Sequence, residues 1–103
     1  MIEPQLFDVI ELLINLPDYN LEAGARGAIV DCYADGKYEV EFTNEEGETE
    51  VLCPLQSDQF IVVWKAKTKS WLSVSEQIVA AIGNLSEERK REVLDFTRAL
   101  YQR

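Results

Sequence analysis

The 103-residue sequence predicts a mainly β chain with an α tail, of α+β class. Its expected layout is a five-stranded SH3-like barrel over 1–64, a basic linker over 65–72 and a two-helix hairpin over 73–103. Three observations carry that expectation. From Gly24 to Cys53, apolar and polar residues alternate in short runs punctuated by turn residues. Phe60 to Trp64 is β-branched or aromatic throughout, which suits a pleated, buried surface. From Ser73 onward the apolar spacing changes from two to three and four, the period of a helix face.

The first apolar run, Leu6 to Leu13, fits a helix or a buried strand by periodicity alone. The long irregular stretch Asn15 to Gly27, with Pro17, Gly24 and Gly27, decides between them. A strand over Phe7–Leu13 before such a loop supplies the missing edge of a small barrel. In the central meander, Tyr38, Val40 and Phe42 alternate with Glu39 and Glu41, a strand with one wet, acidic face. A two-residue Asp35-Gly36 turn would set Asp31 opposite Val40 and bury a carboxylate. The three-residue loop Ala34-Asp35-Gly36 instead pairs Val30 with Val40, Cys32 with Tyr38 and Ala28 with Phe42, and it places Gly36 where a left-handed residue is needed. Across the next turn, Asn44 to Gly47, the expected pairs are Phe42 with Thr49, Val40 with Val51 and Tyr38 with Cys53. The expected core face is thus Val30, Cys32, Tyr38, Val40, Phe42 and Val51. Pro54 ends that strand because it has no N–H for a ladder, and Leu55 to Gln59 reads as one tight helical turn.

Lys65-Ala66-Lys67-Thr68-Lys69 reads as a solvated link or edge extension that guards a strand edge. Ser73 or Ser75 caps a helix that carries Ile78, Val79 and Ile82 and ends at Gly83-Asn84. Ser86 caps the next, with Glu87 and Glu88 in its first turn, where the helix dipole favours anions. On that last helix Val93, Leu94, Phe96, Thr97, Leu100 and Tyr101 form one apolar stripe. Burying its five large apolar side chains is worth roughly 7 to 15 kcal/mol before ordering entropy is subtracted. A lone helical hairpin cannot collect that energy. The stripe must therefore cover its own barrel, a second copy of the chain, or another protein. Trp71, beside the linker, is expected to pin the helices to the barrel or, if exposed, to act as a binding hot spot.

Composition narrows the chemistry. With 47% hydrophobic residues in 11.8 kDa, the chain can bury one modest core. No apolar run reaches the roughly 18 to 20 residues of a membrane span, and Met1-Ile2-Glu3-Pro4 lacks the basic start of a signal peptide, so a cytoplasmic location is expected. Net charge is −9, unevenly shared: residues 1–60 hold 14 acids against Arg26 and Lys37, net −12, while residues 61–103 are net +3. Such a barrel repels phosphate backbones, so nucleic-acid binding is disfavoured except through the basic part, by Lys65, Lys67, Lys69, Arg89, Lys90 and Arg91. Cys32 and Cys53 are both expected as buried free thiols on the core face, the alternative being a disulfide, which a cytosolic setting disfavours. With no histidine and only two cysteines there is no catalytic triad, and a metal site would lack two of its usual four ligands. No glycine pair forms a phosphate loop. The carboxylates sit on an outer face and in turns, with nothing to separate their pKa values. No catalytic residue, cofactor or metal is assigned, and the chain is read as a non-enzyme.

The residues Gly24-x-x-Gly27-x-Ile29-Val30 and Tyr33-x-Asp35-Gly36-x-Tyr38-x-Val40-x-Phe42, with Phe7 to Leu12, Leu16-Pro17 and Ser57 to Phe60, resemble a small bacterial family of unknown function with a KOW-like, SH3-like barrel. The match covers about residues 5 to 63. The tail, Leu85-Ser86-Glu87-Glu88 and Glu92-Val93-Leu94-Asp95-Phe96 with Leu100-Tyr101, resembles a second short bacterial family over about 74 to 103. The first resemblance supports a strand at Phe7–Leu13. KOW-like barrels in general imply RNA or ribosomal-protein binding, from whose basic pattern this acidic face departs. Members of both families look like small partners encoded beside toxins or nucleases, so the resemblance implies an antitoxin-like or adaptor role.

Three functions follow as expectations. The first is a non-enzymatic protein-interaction module, antitoxin- or immunity-like, docking a basic toxin or nuclease-like protein through Trp71, Val93, Phe96, Leu100 and Tyr101 and through the acidic Glu39, Glu41, Glu48 and Glu50. The second is a KOW-like nucleic-acid or ribosome-associated protein using the six basic residues named above. The third is a homodimeric structural subunit with Phe96, Leu100 and Tyr101 at the two-fold axis.

Overall fold

A computed structural model describes residues 2–102. Six antiparallel strands form one sheet: β1 (Val9–Leu12), β2 (Arg26–Cys32), β3 (Tyr38–Thr43), β4 (Thr49–Leu55), β5 (Phe60–Lys65) and β6 (Ser70–Trp71). They lie in the order β4-β3-β2-β1-β5-β6, so β1 joins the meander to the β5–β6 hairpin. Two helices follow, α1 (Val74–Ile82) and α2 (Glu87–Leu100). The class is α+β, as expected, with six strands in place of five. The sixth comes from the segment read as a linker: the chain turns after Lys65 and pairs Ser70 with Lys65 and Trp71 with Trp64. The sheet's pairing runs from edge β4 to edge β6.

The expected strand at Phe7–Leu13 is β1, trimmed at both ends. Gln5 to Asp8 forms a turn closed by Asp8 N–H donating to the Gln5 carbonyl at 3.1 Å, with Phe7 in the left-handed region at φ 70°. Gly36 takes the positive φ, 86°, that the three-residue loop requires, and Cys32 pairs with Tyr38. Upstream the register departs from strict alternation. A bulge at Val30 sets Ile29, not Val30, opposite Val40, and Ala28 opposite Glu41. Ile29 is fully buried, while Val30 is only half-buried. Across the next turn each pairing is displaced by two residues from expectation: Tyr38 faces Leu55, Val40 faces Cys53 and Phe42 faces Val51. A two-residue shift preserves which face each side chain takes, so the core face of β3 and β4 stands. It also draws Leu55 out of the helical turn and into the core. Pro54 does not end β4, because β4 is an edge strand whose outer side needs no N–H.

The core comprises Ile10 and Leu12 of β1, Ile29, Val40, Phe42, Cys53, Leu55, Phe60, Val62 and Leu72, with Tyr38 and Val51 packed against it. The Tyr38 and Phe60 rings meet edge to face at 5.7 Å. Gly27 is required where β2 crosses β3, because a Cβ there would lie 2.7 Å from Val40 Cγ1 and 2.8 Å from the Glu41 carbonyl oxygen. Of the two cysteines, Cys53 is buried as expected, but Cys32 is exposed. It keeps its partner Tyr38 yet stands at the open end of the strand, beyond the core. Both thiols are free.

Every residue from Phe60 to Val63 is buried, so β5 is covered on both faces, and α1 packs against it. Ser73 caps α1 with a full capping box, its hydroxyl accepting from Glu76 N–H at 3.1 Å and the Glu76 carboxylate from Ser73 N–H at 3.0 Å. Ser86 caps α2 through Arg89 N–H at 3.2 Å. Unlike α1, α2 makes no extensive contact with any other element.

Candidate functional site

The apolar stripe of α2 is uncovered. Phe96 is 64% exposed, Tyr101 84%, Leu94 48% and Leu100 43%, with Val93 half-buried. The spacing of 93, 96 and 100 puts these side chains on one face, and i, i+3, i+7 anchoring is how an amphipathic helix enters a groove. On α1, Val74, Ile78 and Val79 are exposed too. Trp71 does not pin the helices to the sheet. It is 60% exposed on β6, opposite Trp64, with the Arg26 guanidinium 5.3 Å from its ring centroid.

A groove of about 890 Å³ opens between α1, β5 and the N-terminal segment. Phe60, Val62 and Leu72 form its floor, Val79 and Ala80 of α1 one wall, and Ile2 and Pro4 another. Glu3 and Glu76 also line it. The capping hydrogen bonds from Ser73 hold the Glu76 carboxyl below the usual carboxylate range, so it is an anion at neutral pH.

The acidic residues anticipated on the meander face outward. Glu39 and Glu41 on β3 are half-buried at their bases, and Glu48 and Glu50 are exposed. Asp31 stands directly opposite Glu39, a like-charge pair across strands. Hydroxyls and an amide compensate locally. Tyr33 donates to Glu39, Thr49 Oγ1 to Glu41 at 2.8 Å and Asn44 Nδ2 to Glu48 at 3.4 Å. The bond to Glu39 pushes the Tyr33 hydroxyl up to about 12. Among the described residues none of the four glutamates has a cationic partner. Leu52, 52% exposed, faces Glu41 from β4 and gives this acidic face an apolar spot.

The six basic residues do not assemble into one surface. Lys65 lies at the end of β5 with its side chain mostly buried, its Nζ 2.6 Å from Asp8 Oδ2 and 3.0 Å from the Glu3 carbonyl oxygen. It is committed to that pair. Lys67 and Lys69 sit exposed in the β5–β6 turn, Lys69 in the left-handed region at φ 52°. On α2, Arg89 pairs with Glu92 at 2.8 Å and Lys90 with Glu87 at 3.7 Å, while Arg91 is exposed.

The sequence reading missed the Asp8–Lys65 pair. Asp8 is fully buried and accepts from Gln5 N–H at 2.9 Å, Ala66 N–H at 3.0 Å and Lys65, so it ties the N-terminal turn to the start of the β5–β6 turn. A signal was present: Asp8, Ile10 and Leu12 share one parity of the strand, and that parity is the buried one. Among the described residues no group of three His, Cys, Asp or Glu could hold a metal ion, and no helix is long and apolar enough to cross a membrane.

Compared with known proteins, residues 6–62 match a family model described as a domain of unknown function, DUF4926. That span takes in β1 to β4 and the beginning of β5, and it leaves both helices outside. No curated protein and no solved structure matches the chain.

Proposed function

The chain belongs to the DUF4926 family, and we propose that it is a non-enzymatic protein-interaction module whose docking element is α2. One observation carries this reading: a well-capped helix presents Phe96, Leu100 and Tyr101 to solvent while making no extensive contact with any other element. A helix of 14 residues gains most of its stability from burying an amphipathic face, so its stripe belongs against another protein surface. The charge of residues 1–60, net −12, would steer a cationic partner and speed its encounter. On this reading the role is antitoxin- or immunity-like, with α2 supplying affinity and the meander's outward carboxylates supplying selectivity. The strand succession and the short helical turn Ser57–Gln59 before β5 support the finer reading of the sheet as an SH3-like barrel. The nucleic-acid alternative is weakened by Lys65, whose charge is already satisfied by Asp8.

The test compares the full chain with the double variant Phe96→Glu/Leu100→Glu, two exposed positions whose change leaves the sheet core untouched. Stoichiometric association with a basic protein from the native host is expected for the former, weakening as salt rises, and is expected to be lost in the latter. A wild-type chain that associates with nothing, itself included, would remove the reading.

A further inference from the structure

Two apolar surfaces of this chain lie uncovered, the α2 stripe and the groove between α1 and β5. We propose that they cover each other between two copies: α2 of one protomer seats Val93, Phe96 and Leu100 in the α1–β5 groove of a second, and the exchange is reciprocal. This rests on the reading of α2 as the docking element and names the surface it docks on.

Size, charge and connectivity support that occupant. The groove, about 890 Å³, is at the upper end of pockets that enclose a drug-sized ligand, about 300 to 1,000 Å³. It has room for one aromatic and two aliphatic side chains from a helix face. Its floor is apolar, Val79 and Ala80 add apolar surface from α1, and its anionic residues are Glu3 and, on α1, Glu76. The helix that bears the stripe, Glu87–Leu100, balances four Lys or Arg against four Asp or Glu, so it can approach a body that is net −12 without net repulsion. Pairing two α2 stripes with each other would instead leave both grooves open.

The connection explains why the groove is not filled from within the same chain. Gly83 and Asn84 line its end, and α2 begins three residues later. Gly83 stays helical at φ −57°, its N–H reaching the Ala80 carbonyl at 3.3 Å, and Leu85 N–H reaches that of Ile82 at 3.1 Å. With that bonded turn in place, α2 makes no extensive contact with α1 or β5 and leaves its own groove open. A second copy can use the groove without opening the turn, and reciprocal use closes a two-fold dimer with no free ends.

Sedimentation equilibrium on the full chain tests this with three proteins: wild type, the helix variant Phe96→Glu/Leu100→Glu, and the groove variant Val79→Glu at an exposed α1 position. Wild type is expected to approach twice its 11.8 kDa mass as concentration rises. Each variant alone is expected to stay monomeric, with wild-type circular dichroism showing that it is folded. An equimolar mixture of the two variants retains one intact helix and one intact groove, and is expected to regain a heterodimer weaker than the wild-type dimer. Leu100→Ala, which only shortens a side chain, is expected to weaken dimerisation at least tenfold. A groove variant that still dimerises, or a mixture that regains nothing, would overturn the exchange. So would a wild-type monomer at every concentration. If that monomer still captures a basic partner through α2, the exchange fails alone; if it captures nothing, the interaction-module reading fails with it.

Discussion

Asp8 is the residue on which the N-terminal turn depends. Its carboxylate holds Gln5, Ala66 and Lys65 together from a fully buried position. Removing one partner of a buried ion pair strands the other charge, which costs about 3 to 5 kcal/mol. Asp8→Ala is therefore expected to destabilise by that amount in urea unfolding. Lys65→Met made in the Asp8→Ala background should recover part of the loss, because no unpaired charge is then left behind. A double variant less stable than Asp8→Ala would contradict this account. Phe7 offers the opposite test. It is 63% exposed yet sits at φ 70°, a conformation that costs a residue with a Cβ about 1 to 2 kcal/mol. Phe7→Gly should raise the melting temperature, by less than that full amount because glycine gives up more chain entropy on folding. Asp8's inward parity is legible in the sequence, but its partner is not. Lys65 lies 57 residues away, and only the pairing of β1 with β5 brings the two together.

Among the elements, those with local causes are legible. Both helix starts follow from a serine whose side chain satisfies an otherwise unpaired N–H, and Ser73 with Glu76 completes the capping box at the spacing such a box needs. The box makes α1 sensitive to acid. Glu76 has its folded-state pKa lowered by the Ser73 hydrogen bonds. Its contribution is thus fully present above the unfolded value, about 4.3, and is lost as pH falls through the lower folded value. Wild-type helicity by circular dichroism should therefore fall in acid, and Glu76→Gln, which keeps a carbonyl acceptor, should flatten that part of the titration. An unchanged acid limb in Glu76→Gln would refute the assignment. The Val30 bulge was not legible for a physical reason. Ile29 and Val30 are both β-branched and apolar, so either parity fills the core, and only contact with β3 and β1 selects Ile29. Strand β6 was hidden likewise, since Ser70 and Trp71 pair only because β5 is already in place.

At the scale of the whole molecule, a radius of gyration of 14.9 Å exceeds the roughly 13 Å of a compact chain of about 100 residues, as a helix held off the sheet requires. The sheet body also carries charge it does not neutralise, with Asp31 facing Glu39 and the outer glutamates lacking cations among the described residues. Raising ionic strength from about 0.01 to about 1 M shortens the Debye length from about 30 to about 3 Å and screens that repulsion. The melting temperature should rise with sodium chloride over that range, and a fall would mean that the exposed ion pairs on α2 outweigh the repulsion. Helix caps, the glycine turn at Gly36 and the sign of the outer face all arise from neighbours within a few residues, so the chain's own pattern was enough to specify them. The buried Asp8–Lys65 pair, the bulge, the sixth strand and the bare face of α2 depend on which distant surfaces meet, and that is decided only when the strands assemble on a common core.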